Sequence, residues 1–592
     1  MRVCCTPQIR SKILGCLIVF GVSTLLAAKV SSGAGLTVSE SVLQAEQQRI
    51  DTISRIVPAV VAIFDPSGQG GGSGVLIDEA GFAITNFHVV QGLGGFMKCG
   101  LNDGNVYDAV LVGIDPTGDV AMIQLLGRDD FPHAEIGDSD KVKMGDWTLA
   151  LGNPFLLADD FQPTVTYGMV SGVHRYQYPA GTFLEYTDCI QVDASINPGN
   201  SGGPLFNADG ELIGINGRIS VEKRGRVNVG AGYAISINQV MNFLDHLKSG
   251  RIVDHATLGA TVTSLSDGSV VVSNILETSD AYLSGLRRDD ELISFAGRPV
   301  RSVNQFKNIL GIYPKGWQVP LSYQRDGKRT DIVVRLAGLH RRAELVPGGP
   351  VEPGPDEPDD QPPIPIPLPH SMEPKAPEIP DEYKDLYEDK PGYANYYFNR
   401  VRTDQLLGAL EEQFGDSSRQ QLNWMWAGTV NEETPVQFRL LTDVIAAKLG
   451  AEFAVQNLDE DPQPVPESTG GLLTALHQFK KLLQAPDDYF TEFYYVGSEP
   501  LDGTGDRVDV LISTKGLVTS RWYFDRDDLR LVGFDTSIDE EHQPCEIRFG
   551  EMTEIDGRPF PEKFHVRHAR SEWGTIELQT FEAIAPEAGV GQ

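Results

Sequence analysis

The sequence predicts a mainly β chain built of several separate domains, and three observations carry that prediction. Its 592 residues exceed one hydrophobic core, and at roughly 150 residues per domain they divide into three or four. Short β-branched runs such as "AVVAIF", "GVLI", "DVAMIQL" and "ELIGIN" recur from Val57 to Ile237 with glycines between them, the pattern of an all-β barrel or sandwich. A later stretch, "PGGPVEPGPDEPDDQPPIPIPLPHSMEPKAPEIPDE", is too rich in proline and acid to pack a core and reads as an extended tether.

Taken in order, the chain opens with Arg2, Arg10 and Lys12, then the apolar run "ILGCLIVFGVSTLLAA" ending at Ala28, then "KVSSGAG". This is the layout of a signal peptide over residues 1–34, cleaved after Ala34 and implying export to the periplasm or another extracytoplasmic space. The apolar run is short for a membrane span, and left uncleaved it would anchor the chain at the membrane periphery. Residues 36–56, "LTVSESVLQAEQQRIDTISRI", have helical apolar spacing. The β-rich part ends in a helix, "INQVMNFLDHLKSG", with Gly250 as its stop, which bounds a first domain at 36–250. Residues 255–338 form a second unit of short strands with a helix near "VNQFKNILG". The tether covers 341–390. A C-terminal α+β domain follows at 391–588, with an amphipathic helix in "GGLLTALHQFKKLLQAP" and then strand runs such as "YFTEFYYVG", "RVDVLIST" and "LRLVGFDT" spaced as an antiparallel meander.

Composition excludes several classes. A formal charge of -33 leaves no basic excess to neutralise phosphates, so nucleic acid is not a partner. Of six cysteines, Cys4, Cys5 and Cys16 lie in the leader. The remaining Cys99, Cys189 and Cys545 are odd in number and lack metal-like spacing, so neither an essential disulfide nor a metal is expected.

The stretch "NPGNSGGPLF" places Ser201 in a tight glycine-rich turn. A serine is inert near neutral pH without a base, and the chain supplies the needed groups. "ITNFHVVQG" presents His88 after a strand-like run, and "GIDPTGDVAMIQL" presents Asp119 just before an apolar strand. The order His, Asp, Ser is that of chymotrypsin-like proteases. With these motifs, and with "LGNPF", "TVTYGMVSGVHR", "IQVDASINPGNSGGPLFNADGELIGIN" and "GYAISIN", residues 40–338 resemble the HtrA (DegP-type) serine proteases.

The resemblance implies a chymotrypsin-like double β-barrel followed by one PDZ domain, in an exported, ATP-independent serine endopeptidase that acts on misfolded or C-terminally tagged proteins. It implies a homotrimer held by the N-terminal segment, and no metal or organic cofactor. His88 would be the general base and Asp119 its orienting acid, preferred to Asp115 because "GDVA" directly precedes the strand. Backbone N–H groups of Gly199 and Ser201 would form the oxyanion hole, with Asn200 shaping its loop. By analogy Ser195 lies at the base of the primary pocket and Ile215 and Gly217 line its walls. No carboxylate there would pair a basic side chain, so cleavage after Val, Ala or Ile is expected. His133 and His174 read as structural, and Asp193 as loop architecture.

The segment beginning "LGATVTSLSDGSVVV" resembles the family's PDZ domains, which capture a peptide C-terminus as an added strand. Leu258, Gly259 and Ala260 would form the carboxylate loop. Phe306 and Leu310 would line the side-chain pocket or, at the same helical spacing, simply belong to the core. Two departures stand out: "SDA" at Ser279–Ala281 in place of Ser-Pro-Ala, and Asp289-Asp290 in place of Gly-Asp, which predicts a left-handed Asp289. "GRISVEKRGRVNVGAG", Gly217 to Gly232, falls where the family has an activation loop and equally reads as a solvated hairpin. The C-terminal strands resemble LolA-type lipoprotein carriers, whose concave sheet holds an acyl chain; a recognition or scaffold domain is the other reading. Two alternative functions follow, a PDZ-bearing chaperone with a latent protease and a handler of lipids or lipoproteins.

Overall fold

The computed structural model describes residues 38–66, 71–153, 160–177, 185–197, 199–221, 228–340, 379–415 and 422–585. The leader and the tether's 341–378 lie outside these residues. Two units are distinguished, Met1–Ile50 and Asp51–Gln592. The first contributes exposed residues 38–50, helical from Glu40, and the helix α1 (Glu40–Ile56) continues into the second.

The second unit begins with a closed antiparallel barrel. Its strands are β1 (Val60–Phe64), β2 (Gly72–Leu76), β3 (Phe82–Thr85), β4 (Phe96–Gly100), β5 (Val106–Asp115) and β6 (Val120–Leu125), in the order β1-β2-β3-β6-β5-β4. One helical turn, α2 (Phe87–Val90), follows β3. The near-continuous apolar runs have a physical reason, since alternate side chains of a strand face opposite ways. Val61, Leu76, Ala83, Ala121 and Ile123 join one buried cluster with Met97 and Cys99. Their neighbours Val60, Val75, Ile84, Val120 and Met122 join another, shared with Leu149, Leu151, Phe206 and Ile215.

Those last residues belong to a second barrel. It comprises β7 (Glu135–Ile136), β8 (Trp147–Gly152), β9 (Thr164–Gln177), β10 (Tyr186–Val192), β11 (Pro204–Asn207), β12 (Glu211–Val221) and β13 (Asn228–Ser236). The order β11-β8-β9-β10-β13-β12 closes through a β11–β12 pairing, and β7 adds to β12. The fold is thus a chymotrypsin-like pair of barrels. Helix α3 (Ile237–Lys248) caps the pair, burying Val240, Phe243 and Leu247, and Gly250 at φ +74° stops it as read from the sequence. A methyl group there would sit 2.0 Å from Asn395 O, so glycine is required by contact as well as by backbone.

Residues 256–338 form an antiparallel sheet of strands Ala260–Ser264, Val270–Ile275, Glu291–Phe295, Gln318–Arg325 and Lys328–Arg335, covered by the helix Val303–Leu310. Asp289 is left-handed at φ +68°, as the missing glycine predicts. Ser279 caps the short helix Asp280–Leu283 by accepting from Tyr282 N–H, so "SDA" keeps a cap without proline.

The C-terminal domain is an eleven-stranded antiparallel sheet with edges at Glu452–Asn457 and Glu492–Pro500. Its helix Leu472–Gln484 departs from the amphipathic reading, because every residue except Lys481 is buried. The polar side chains that made it look amphipathic find partners inside. Lys480 Nζ donates to Leu440 O at 2.7 Å, and Gln484 Nε2 to Leu422 O at 2.9 Å. Burial, with Lys481 nearby, lowers the Lys480 pKa to about 8. Phe479 on this helix packs among Trp424, Phe534, Phe549, Phe560 and Phe564, filling the hollow of the sheet with aromatic side chains.

The edge strand Glu492–Pro500 docks this domain onto the other two. Ser498 Oγ donates to Asp245 of α3 at 2.5 Å, while Ser498 O accepts from Trp317 Nε1 at 2.8 Å. Arg335 donates to Glu499 at 3.0 Å and to Asp535 at 2.8 Å. The last part of the expected tether is also folded. Asp381–Leu386 makes a 3-10 turn, Tyr383 stacks on Phe96 of the first barrel, and Asn395 Nδ2 donates to Leu111 O at 2.9 Å. Aromatic residues interrupt the proline-rich composition there, and they supply the surface that lets it dock.

Arg335 is a buried cation between domains, so removing it leaves Glu499 and Asp535 with one fewer partner each. Arg335→Ala is expected to cost about 3 kcal/mol, the low end for breaking a buried pair, because Arg521 and Arg548 remain. Urea unfolding and limited proteolysis check this; an unchanged midpoint and cleavage rate would show that the network does not hold the domains together.

Candidate active site

Asp119 precedes β6 in a left-handed conformation, φ +57°, and its side chain has no exposed surface. A carboxylate buried in this way needs hydrogen-bond donors. His88 in α2 provides two, its backbone N–H at 3.0 Å from Oδ1 and its ring Nδ1 at 2.8 Å from Oδ2. Tyr186 OH donates a third bond to Oδ2. The Asp119 carbonyl accepts from Phe87 N–H at 3.2 Å and from Asn86 Nδ2 at 2.9 Å. The two segments are therefore locked together through both backbone and side chains.

The His88 side chain is 40% exposed on its other side, open to a reactant. Burial works against its charged form, but the hydrogen bond to Asp119 and that residue's charge outweigh it, and the pKa lies above the ordinary 6.5. With Nδ1–H given to Asp119, the neutral ring keeps Nε2 as an acceptor.

Ser201 is held beside this pair by close backbone packing. Ser73 N–H donates to Ser201 O at 2.9 Å, and Thr85 Oγ1, three residues before His88, donates to Ser73 O at 2.6 Å. Gly202, at φ +82°, has no room for a side chain: a methyl group would sit 2.2 Å from both Ser73 O and Thr85 Oγ1. Ser201 Oγ donates to Gly217 O at 3.4 Å, a long contact, and among the described residues no hydrogen bond joins it to His88. Apo sites often show loose contacts that tighten around a substrate. The Gly199 carbonyl is tied down by Ser73 Oγ at 2.6 Å, itself an acceptor from Asn153 N–H. Among the described residues the N–H groups of Gly199 and Ser201 have no acceptor. The Asn200 side chain is buried in the same loop with both polar atoms unpaired.

Other predicted residues fall into place or out of it. Asp115 faces away from His88: its Oδ2 pairs with buried His255 at 2.8 Å, and its Oδ1 accepts from the Thr117 and Gly118 N–H groups. Asp193 Oδ1 accepts from Met169 N–H, a loop role as read. His174 pairs with Asp188 at 2.7 Å. Ser195 is exposed, and its carbonyl accepts from Thr166 Oγ1 at 3.0 Å. Ile215 is wholly buried in the core shared by the two barrels, and the carbonyl of Gly217 lies beside Ser201 Oγ. The ring beside Gly217 is that of Tyr186, which a methyl group on Gly217 would meet at 2.8 Å. Tyr186 is the site residue the sequence reading missed; it starts β10 outside any recognisable motif, and its spacing to Asp119 gives no signal.

In the 256–338 unit, Gly259 is left-handed at φ +70° and Ala260 opens a strand paired to Val270–Ile275. Leu258 and Phe306 are buried in one cluster, where Phe306 meets Phe295 edge-on at 5.3 Å, the core alternative for Phe306. Leu310 is partly buried against the same cluster.

A family model described as "Trypsin-like peptidase domain" matches residues 72–215, which span β2, His88, Asp119 and Ser201. Residues 72–215 are similar to trypsin-like peptidase domains. The curated proteins that the chain resembles include ones named as DegP-like serine endoproteases. It is 36% identical over 297 residues to the periplasmic serine endoprotease DegP of Escherichia coli, covering 46% of this chain and 60% of that one. It is 34% identical over 279 residues to a probable periplasmic serine endoprotease DegP-like of Chlamydia muridarum, covering 45% and 54%. The chain spans about half the length of the first of these curated relatives. Among solved structures, the HtrA-type protease AlgW with tripeptide aligns over 49% of this chain and 96% of its own at 28% identity, with a TM-score of 0.40.

Two outcomes are expected of the peptidase domain. In a kcat/KM pH profile the acid limb should have its midpoint above 6.5, because His88 must be neutral to accept a proton and its pKa is raised. Tyr186→Phe removes a donor from Asp119, strengthening the pull of its charge on the imidazolium, so the limb should move to higher pH. With a hydrogen bond to a charged group worth about 1.5–3 kcal/mol, kcat should fall about tenfold or more. A Tyr186→Phe profile that overlays the wild type would remove this residue from the site.

Proposed function

We propose that the chain is an exported, ATP-independent serine endopeptidase that degrades misfolded or C-terminally exposed proteins in the periplasm or an equivalent compartment. The observation that carries this reading is the buried, doubly bonded Asp119–His88 pair set beside Ser201 in its glycine-rich turn. Ser201 Oγ attacks the scissile carbonyl as His88 Nε2 takes its proton, forming the C–O bond of a tetrahedral intermediate. His88 then returns the proton to the leaving amine, the C–N bond breaks, and an acyl-enzyme remains. Water attacks the ester by the same base, releasing the acid and restoring Ser201. Asp119 keeps the imidazole tautomer and balances its charge. The free N–H groups of Gly199 and Ser201 are the donors for the oxyanion, each worth about 3–4 kcal/mol in a serine protease.

Relatives named as periplasmic endoproteases support the compartment. A homotrimer built through the N-terminal segment fits the exposed Val38 before α1 and Val42, Leu43 and Ile50 on it. The 256–338 unit, with Gly259 and Ala260 at the start of its strand, serves as a PDZ module for substrate C-termini. Ser195 and Gly217 bound a small primary pocket suited to Val, Ala or Ile. The second reading, a chaperone with a latent protease, is favoured by one observation, the Ser201 Oγ contact to Gly217 O in place of His88.

Incubation with a reduced, carboxymethylated protein separates the two. The wild type is expected to degrade it, with Ser201→Ala slower by about 10⁴-fold or more. Equal rates would overturn the endopeptidase reading. Sequencing of the products should show cleavage after small aliphatic residues, and dominant cleavage after Arg would contradict the assigned pocket.

A further inference from the structure

Where the three domains meet, two adjoining hollows of about 220 and 330 Å3 share Arg251, Ile252, Asp254, Lys315 and Tyr494. The lining draws on α3 and the segment after it, on the 256–338 unit and on the C-terminal sheet. Arg251 and Asp254 follow α3, Lys315 and Arg335 belong to the 256–338 unit, and Tyr494 and Arg521 lie on the C-terminal sheet.

The inner hollow is strongly cationic, lined by Arg251, Lys315, Arg335 and Arg521 against the single carboxylate of Asp254. That carboxylate is already engaged by His340, whose Nδ1 lies 3.0 Å from Oδ1. Glu499 and Asp535 compensate Arg335, and Glu499 also binds Arg521. Two donors are left over. Arg521 Nε is buried with no acceptor. The Arg251 guanidinium meets no carboxylate among the described residues and lies 4.8 Å from the centroid of the Tyr494 ring. A buried donor without an acceptor is costly, so the hollow has unmet demand for an anion. His246 at the same wall is held neutral, its pKa lowered to about 3 by burial and then by the charge of Arg251. Leu336, Val496 and Ile512 supply the apolar part of the lining.

We propose that this three-domain cleft is a binding site for a small organic oxyanion, a carboxylate or phosphate monoester carrying an apolar group of a few carbons. The oxyanion accepts from Arg251, Lys315 and the free Arg521 Nε, and the apolar group lies on Leu336, Val496 and Ile512. Because the ligand touches the segment after α3, the 256–338 unit and the C-terminal sheet, it binds the docked arrangement and stabilises it. This site is remote in composition from His88, Asp119 and Ser201 and does not rest on the peptidase reading.

The test uses the full chain carrying Ser201→Ala, so that self-cleavage plays no part. Phenyl phosphate, benzoate and phenol are titrated by calorimetry and by thermal unfolding. Phenyl phosphate or benzoate is expected to bind and raise the midpoint, with phenol at least tenfold weaker, and the tighter of the two anions identifies the source as phosphate or carboxylate. Arg251→Ala and Lys315→Ala should each weaken binding at least tenfold; either variant suffices if the other fails to fold. Absence of binding by both anions, phenol binding as tightly, or an affinity unchanged in the folded variants would overturn the proposal.

Discussion

A carboxylate survives in a protein interior only if its oxygens are filled, and Asp119 fills them with the groups that make a catalytic site. Its left-handed backbone turns the side chain under α2, where His88 N–H, His88 Nδ1 and Tyr186 OH converge on it. His88 comes from the first barrel and Tyr186 from the second, so the carboxylate pins the two barrels at their junction. Ser201 is fixed to the same junction by Ser73, a β2 residue that accepts from Thr85 through its carbonyl and donates to Gly199 through its hydroxyl. Orienting the base and positioning the nucleophile are thus consequences of one packing problem solved once.

The same economy appears between domains. The edge strand Glu492–Pro500 would otherwise expose a row of unpaired backbone groups. Here it lies against α3, with Ser498 bridging Asp245 and Trp317 and Glu499 receiving Arg335. The 256–338 unit is therefore held between the peptidase domain and the C-terminal sheet by charge-assisted bonds, not merely tethered by chain. The Asp115–His255 pair adds a further tie, joining the loop that leads to Asp119 with the start of that unit. Its imidazole is buried, and the Asp115 charge raises its pKa against the effect of burial. The tie is at full strength below the unperturbed 6.5 and is lost as pH rises through the raised value.

What the sequence disclosed was whatever local chemistry determines. The strands of the first barrel were legible as apolar runs because both faces are buried, and Gly250 and Asp289 were legible because backbone conformation restricts residue choice. Asp119 was separable from Asp115 by its motif alone, and it is Asp119 that bonds His88 while Asp115 bonds His255. The reading failed where tertiary contact overrides local pattern. The helix Leu472–Gln484 carries polar residues on one face, yet Lys480 and Gln484 are buried against strand carbonyls that no local window contains. Ile215 sits in a recognisable segment, yet its side chain is buried in the core shared by the two barrels. Tyr186 acts across a separation of 67 residues, which composition and spacing cannot register. Tyr383 docks a segment that proline content had assigned wholly to a tether.

The central claim is that Asp119 and His88 make Ser201 a nucleophile. Its most direct test is intact-mass and peptide mapping after exposure to a fluorophosphonate, comparing the wild type with His88→Ala. The account predicts a single stoichiometric adduct, mapped to Ser201, that is lost or slowed by orders of magnitude in His88→Ala. Equal labelling of the two proteins, or an adduct on another residue, would contradict it.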